Sequence, residues 1–186
     1  MKVNAWIGVL FGVAIVLTGQ MAAAAEKGES AAKLAADSRA ALNNLYAKTP
    51  GAEAIGGKAH AVLVFPSVTK AGFVIGGQYG EGALLKGGKA VAYYNTAGAS
   101  YGLQAGVQTY GYAMFFMNEK ALKELDKADG FEVGVGPSIV VMDEGMAKST
   151  TTTSIKEDIY AFIFSQKGLM AGIGLQGNKI TRANPK

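Results

Sequence analysis

The fold is decided by the stretch Pro66–Gly82, which reads PSVTKAGFVIGGQYGEG. Its bulky side chains, Phe73, Ile75 and Tyr79, stand on one parity, and glycines stand on the other at positions 72, 76, 80 and 82. Successive side chains of a strand point to opposite faces, so the stretch predicts a single strand with one bulky and one nearly bare face. A helix is disfavoured because each interior glycine costs about 1 kcal/mol relative to alanine.

Three later segments repeat this alternation, with glycine or glutamine opposite larger residues: Ser100–Phe116, Phe131–Gly136 and Leu169–Gln176. A bare strand face allows sharp bending of a sheet, or close approach of a ligand or another backbone. Bending is the simpler interpretation. The predicted fold class is therefore α+β: a strongly curved antiparallel sheet or partial barrel of glycine-rich strands, with two or three packed helices.

Several further elements can be predicted. The apolar run before Pro66 indicates a strand that is buried on both faces and ends at the proline. The turn Lys86–Lys89 contains Gly-Gly and indicates a hairpin, and Asn118 is placed to cap a helix that ends near position 127. The threonine run 149–154 is expected to form an exposed edge strand or a loop. Residues from 181 onward are expected to form a free tail.

The segment Ser30–Lys48 has leucines and alanines at helical spacing, which predicts an amphipathic helix. Its apolar stripe suits packing on the protein's own sheet. Lying on a membrane surface is the other use of such a stripe, although this one is poor in large aromatic residues. In that use the helix would present three cations to lipid head groups: Lys33, Arg39 and Lys48.

The N-terminal segment 1–25 has the layout of a secretory signal peptide. Lys2 is its only charge, an apolar core follows, and Ala23 and Ala25 occupy the A-x-A positions of a cleavage site. A single domain over 26–186 would remain, with the helical region in 26–50. We therefore expect an exported protein of the bacterial periplasm or cell envelope, peripheral to the membrane. Gln20 stands where a lipoprotein box would need cysteine, so this sequence cannot be acylated there.

Composition excludes several classes of chemistry. The chain has 186 residues, a formal net charge of +4, one histidine and no cysteine. Disulfides, thiolate metal sites and cysteine nucleophiles are therefore absent, and a His-pair metal site cannot form. The mild charge without basic runs argues against nucleic-acid binding. The G-x-G pairs lack the remainder of any phosphate-binding loop, and no serine lies in a hydrolase elbow, so we predict no cofactor, no metal and no enzymatic activity.

Scattered lysines are the remaining candidates for a binding role. They lie near predicted turns and strand ends, where several could converge on a phosphorylated lipid head group. A solvated rim is the alternative for any one of them. The candidate lipid-binding residues are Lys58, Lys70, Lys148, Lys167 and Lys179.

Four strings together resemble the SYLF domain, which is also known for its yeast actin-binding members: Phe65–Gly82, Ala99–Gln108, Val133–Ser138 and Tyr160–Gly177. They occur in the family's order, and the sequence looks closest to its exported bacterial branch, whose members are often described as lipoproteins. The resemblance implies lipid binding. It also implies phosphoinositide preference and an amphipathic N-terminal helix in eukaryotic members, and actin binding in fungal ones.

Two hypotheses follow for function. The first is a non-enzymatic protein of the bacterial envelope that docks on anionic phospholipids or phosphoinositide-like lipids at a membrane surface. The second is a structural or protein–protein interaction module of the envelope, or an actin-binding-like adaptor. This alternative would use a protein partner bound through the threonine run or the glycine face.

Overall fold

The computed structural model describes residues 30–73, 75–101, 106–142, 156–168, 175 and 177–185. In this part of the chain the helices are α1 (Ala31–Lys48), α2 (Pro50–Gly56) and α3 (Glu119–Lys123), with a 3-10 helix at Glu124–Asp126. The strands are β1 (Ala61–Phe73), β2 (Ile75–Lys86), β3 (Lys89–Tyr101), β4 (Gly106–Phe116), β5 (Phe131–Glu132), β6 (Ile139–Met142), β7 (Ile159–Gly168) and β8 (Lys179–Ala183).

The described strands form one eight-stranded sheet in the order β5-β8-β3-β2-β1-β4-β7-β6. It is strongly curled into a half-barrel. The predicted α+β class, the curved sheet and the number of packed helices are confirmed. One pairing departs from the antiparallel prediction, because β6 runs parallel to β7. Segment 143–155, which joins these two strands along the chain, lies outside the described residues together with its threonine run.

The prediction of one strand over Pro66–Gly82 is wrong. This stretch supplies both strands of a hairpin, in which Gly72 pairs with Gly76 and Phe73 pairs with Ile75. A Cβ atom on Gly72 would collide with the backbone of Gly76, so glycine is required where the two strands approach most closely. The residues at the point where the chain reverses, Phe73 to Ile75, are not typical turn residues. Bulky residues occupy odd positions both before and after the reversal, so the alternation does not reveal it.

Pro66 does not end its strand, contrary to the prediction. Strand β1 continues through it to Phe73, and its register against β2 and β4 shifts at this point. A bulge of this kind leaves one residue out of the hydrogen-bond ladder, which accommodates the missing N–H of proline. The run Ala61–Phe65 is buried throughout, as expected for a strand covered on both faces.

Other strand boundaries also differ from the predicted ones. Ser100–Phe116 is divided between β3 and β4, and only the first two residues of Phe131–Gly136 form a strand. Most of Leu169–Gln176 lies outside the described residues. The predicted tail is wrong as well, because 181–183 belong to β8, which is paired with β3. The alternation had indicated extended backbone without indicating which partner each strand would find.

The predicted helices and the predicted turn are confirmed. Ser30 caps α1 by accepting a hydrogen bond from the Lys33 backbone N–H at 3.4 Å. Asn118 caps α3 in the same way, accepting from the Ala121 N–H at 2.8 Å. Gly87 and Gly88 have φ of 55° and 76°, the left-handed geometry of a tight two-residue hairpin.

Apolar layers cover both faces of the sheet. One layer joins side chains of β1, β4, β7 and β8, among them Phe65, Met114 and Ile180, so it fills the concave side round which the sheet curls. The other layer packs α1 and α2 against the convex side through residues such as Leu45, Ile55 and Phe115. The glycines at 80 and 82 lie on the concave face, where Cβ atoms would meet the Val68 and Phe65 side chains. Bare strand positions thus allow the sheet to curl.

Asp158 joins the start of β7 to two neighbouring elements. Its carboxylate accepts from Asn118 Nδ2 at 2.7 Å and from the Ser138 N–H at 3.2 Å. Its own backbone carbonyl accepts from the Met117 N–H at 2.9 Å. The hydrogen bond from Asn118, followed by that from the Ser138 backbone, lowers the pKa of Asp158 below its ordinary value.

A lowered pKa in the folded state means that the charged carboxylate stabilises the fold above its unfolded pKa of about 4 and ceases to do so as pH falls through the folded value. We therefore expect Asp158→Asn to lower the melting temperature near neutral pH and to match the wild type in strong acid. Thermal unfolding followed by circular dichroism across this range measures the effect. Glu157→Gln is the control and should retain the wild-type acid profile; a pH-independent deficit in Asp158→Asn would contradict the assignment.

Candidate functional site

Three polar side chains lie side by side on the concave face, just below the end of the sheet where β1 and β2 meet. Lys70 on β1 is directly paired with Gln78 on β2 and with Gln108 on β4. Directly paired residues of antiparallel strands project on the same face. Asn178 lies next to them, since its Oδ1 and the Gln78 amide occupy the space that a Cβ on Gly98 would need. We call Gln78, Lys70, Gln108 and Asn178 the polar row.

The polar row is deeply buried, since each of its members is at most 5% exposed. Tyr110 Oη donates to Gln78 Oε1 at 2.7 Å, and Gln78 Nε2 donates to Asn178 Oδ1. Just beyond it, Tyr112 Oη donates to Thr96 Oγ1 at 2.7 Å. A buried lysine and three amides are costly to desolvate, so their placement here calls for hydrogen-bonding partners.

Burial raises the pKa of Tyr110 and of Tyr112 well above the ordinary phenol value. Nearby Asn178 opposes this rise at both residues without reversing it. Both phenols therefore remain protonated at physiological pH and act as hydrogen-bond donors. The hydrogen bond from Tyr110 fixes the acceptor side of Gln78 and so orients its amide toward Asn178.

Two atoms of the polar row have no hydrogen-bond partner within the described part of the chain: Gln108 Oε1 and Asn178 Nδ2. One is an acceptor and the other a donor. Leaving such a group unpaired in a protein interior costs about 1–3 kcal/mol. The polar row can thus accept one hydrogen bond and donate another, beside the ammonium group of Lys70.

The same end of the sheet exposes apolar side chains on its opposite, convex face. Ile75 at the start of β2 is 64% exposed and Val107 on β4 is 60% exposed. They share this face, because Val107 pairs with Ala71, which also pairs with Gly77 two residues beyond Ile75. We call Ile75 and Val107, with the small residues Ala71 and Gly77 between them, the apolar tip.

Two of the predicted lysines flank the apolar tip on the convex face. The next row of paired residues runs across six strands in the order Lys179, Ala97, Tyr79, Thr69, Thr109 and Lys167. Its two lysines are exposed, as is Thr69. They stand about 24 Å apart along the sheet, given a strand spacing of about 4.8 Å, so they bracket the tip instead of forming one pocket.

The remaining predicted lysines lie elsewhere. Lys70 is buried on the concave face as part of the polar row. Lys58 follows α2 and precedes β1, at the opposite end of the sheet from the apolar tip. Lys148 lies outside the described residues. The structure therefore brings Lys167 and Lys179 to one surface, and it leaves Lys58 and Lys70 away from that surface.

The cations of α1 are exposed, but its apolar stripe is not. Lys33 pairs with Asp37 within the helix, and Arg39 and Lys48 face solvent. Leu34, Ala35, Ser38, Leu42 and Leu45 are buried, and Ser38 Oγ donates to the Val64 carbonyl at 3.4 Å. The stripe thus packs on the protein's own sheet, which is the simpler of the two predicted uses.

Three members of the polar row were not among the predicted site residues: Gln78, Gln108 and Asn178. The alternation did place glutamine on the glycine parity, and a polar side chain on the bare face of a curled strand was the available signal. Asn178 had no comparable signal, because it follows a turn and reaches the row only through the pairing of β8 with β3.

Within the described residues, no group of histidine, aspartate and glutamate is arranged to hold a metal ion. None of the helices in that part of the chain combines the length and apolar character needed to cross a membrane.

Glycine-rich strands curled into a half-barrel, with α1 and α2 on the convex face, define an α+β domain. The family model Ysc84, described as "Las17-binding protein actin regulator", matches residues 97–185. The match covers 89 of the 186 residues, and the predicted resemblance is confirmed over this segment. It contains three of the four resembling strings; Phe65–Gly82 precedes it. None of the curated proteins compared with the chain matches it.

Proposed function

We propose that this protein is an exported, non-enzymatic lipid-binding domain that docks on anionic membranes of the cell envelope through its apolar tip. The observation that carries the proposal is the exposure of Ile75 and Val107 at one end of the sheet, with Lys167 and Lys179 on either side. The family match supports it, because the matched family is linked to lipid and actin binding.

Each part of this surface can contribute to contact with a lipid head-group layer. Exposed apolar side chains at a protruding edge gain about 25 cal/mol for each Å² that they bury among acyl chains. Lysines beside them gain about 1 kcal/mol each near an anionic surface, and this gain falls off within a Debye length. Two modest contributions thus combine into reversible, salt-sensitive attachment.

Co-sedimentation with vesicles tests the proposal. The mature chain 26–186 should pellet with vesicles that contain phosphatidylglycerol, pellet less at high salt, and stay in solution with pure phosphatidylcholine vesicles. A partial fraction should persist at high salt, because the apolar contribution is not screened. Absence of binding to any anionic vesicle at low salt would disprove the proposal.

A protein-interaction role is the second candidate, favoured by the description of the matching family as an actin regulator that binds Las17. The apolar tip would then contact a protein partner of the envelope. The two roles differ in their need for lipid: a partner captured by the purified domain without lipid, together with absent vesicle binding, would favour this second role.

A further inference from the structure

A groove of about 490 Å³ lies between β8 and the 3-10 helix with the turn that follows it. Ligand sites in proteins typically span about 300–1,000 Å³. We propose that this groove binds an extended acidic peptide segment of a partner protein, which pairs with the backbone of Arg182 and places a carboxylate on the Arg182 guanidinium. The groove lies away from the apolar tip, so binding here goes beyond the proposed lipid docking and does not depend on it.

Strand β8 extends past β5 and leaves part of its edge open to the groove. β5 pairs only with Lys179 and Ile180, whereas β8 continues beyond them. Backbone groups of an antiparallel strand point alternately to its two sides. The Asn178 carbonyl accepts from the Val133 N–H on the β5 side, and Arg182 has the same parity, so its N–H and C=O point to that side as well. Within the described residues no backbone hydrogen bond joins Arg182 to the adjacent turn, so its edge can pair with an added strand.

The Arg182 guanidinium lines the groove and is only loosely paired. Its Nη1 lies 3.3 Å from Asp126 Oδ1, and the two side chains are 60% and 62% exposed. This distance exceeds the about 2.7–2.9 Å of a well-formed charge-assisted hydrogen bond, and exposed ion pairs contribute little to stability. A guanidinium has five N–H donors in a fork that can bind a carboxylate through two of them. A ligand carboxylate can therefore replace Asp126 at little cost.

Backbone pairing and charge recognition select the same ligand. A peptide residue paired directly with Arg182 would continue the line of β5, with its side chain on the same face as that of Arg182. Cβ atoms of such a pair lie about 4.5–5.5 Å apart, which allows an arginine–carboxylate contact. Lys127 adds a second cation to the lining, and Leu125 adds an apolar contact for a neighbouring side chain. An acidic residue in an extended segment therefore suits the groove, whereas a basic residue would meet two cations.

Short peptides with capped ends test the site directly. Titration of the ¹⁵N-labelled mature chain with acetyl-TVEVT-amide should give saturable amide shifts at Arg182 and in the segment 125–130. The matched peptide acetyl-TVQVT-amide, which lacks the charge, should bind about ten-fold more weakly, as expected for loss of a hydrogen bond between charged groups. Absence of saturable shifts in the groove, or equal binding of the two peptides, would overturn the proposal.

Methylation of the central peptide nitrogen separates backbone pairing from charge recognition. An N-methylated glutamate keeps its carboxylate but cannot donate a hydrogen bond to the Arg182 carbonyl, so this peptide should also bind about ten-fold more weakly. Equal affinity of the methylated peptide would exclude strand pairing. Binding of free N-acetylglutamate as tightly as the peptide would assign the groove to a small carboxylate, and either result overturns the assignment to a peptide.

Two substitutions with opposite expected effects assign the groove residues. Arg182→Gln should weaken binding of acetyl-TVEVT-amide about ten-fold or more, because the cation is lost. Asp126→Asn should strengthen it about three-fold, because the competing carboxylate is removed. Both side chains are largely exposed, so both variants should fold, and a gain in affinity cannot result from partial unfolding.

Lys123→Gln is the charge-matched control for Arg182→Gln. Lys123 is exposed at the end of α3 and does not line the groove, so this variant should keep the wild-type affinity. An equal loss in Lys123→Gln and Arg182→Gln would mean that net charge governs binding. That result, or wild-type affinity in either Arg182→Gln or Asp126→Asn, would overturn the proposal.

Discussion

Replacing Gly82 with alanine is expected to lower the free energy of unfolding by about 3 kcal/mol or more, in the range of severe core substitutions. The added methyl group would meet the Val64 carbonyl oxygen and the Phe65 ring at Cδ1 (2.7 Å). Phe65 is fully buried and packs against Tyr112 with ring centroids 4.7 Å apart and ring planes tilted by 30°, so neither ring can move without disturbing the concave layer. Urea unfolding of the purified variant measures the loss.

Gly57→Ala is the matched control, since it makes the same chemical change at the end of α2. There the nearest atom to the new Cβ is the Glu53 carbonyl oxygen at 3.7 Å, an ordinary contact, and φ is −63°. This variant should be as stable as the wild type or more stable by up to about 1 kcal/mol. Equal unfolding free energies for Gly82→Ala and Gly57→Ala would refute the view that the bare concave face exists to let Phe65 pack.

Placing aspartates on the apolar tip should abolish attachment to anionic vesicles. In the double variant Ile75→Asp/Val107→Asp, two exposed apolar side chains become anions that the lipid surface repels. Loss of the apolar contribution and the added negative charge act in the same direction, so we expect at least about a hundred-fold lower vesicle affinity, or nearly 3 kcal/mol. Stability should change little, because both positions are largely exposed.

Val91→Asp provides the control for this variant. Val91 is also an exposed valine, at 53%, but it lies on β3 beside the Lys86–Lys89 hairpin, at the opposite end of the sheet. The single change alters net charge without touching the tip, and Val107→Asp alone is its like-for-like counterpart. If Val91→Asp weakens vesicle binding as much as Val107→Asp, attachment follows net charge and the tip has no special part in it.

The strand periodicity in the sequence was sufficient to predict the class of fold but not the connection of its strands. Phe73, Ile75 and Tyr79 indicated extended backbone correctly, yet the reversal between Phe73 and Ile75 left the parity unchanged. One long strand and a tight hairpin therefore give the same alternation of bulky and small residues. The prediction that a strand ends at Pro66 is wrong for a related reason. Whether a proline ends a strand depends on the partner strands, and here a bulge in the pairing accommodates it.

For the candidate site, too, the sequence predicts some features and leaves others undetermined. Lys70, Lys167 and Lys179 could be chosen from the sequence as polar residues near strand ends, but their faces depend on register. The bulge at Pro66 changes the parity of β1, so that Phe65 and Lys70, on opposite parities, both face the concave side. Local sequence determines that side chains alternate, whereas the cross-strand pairing determines which of them meet.

The edges of the sheet bear on how a macromolecular partner could bind. Its outermost described strands are β5 with two residues and β6 with four, whereas the central strands have ten or more. Strand addition on either of these two strands would form only a brief backbone ladder, which makes such addition weak. A protein that binds at β5 or β6 would therefore depend on contacts with side chains, and surface substitutions there could change its selectivity without destabilising the sheet.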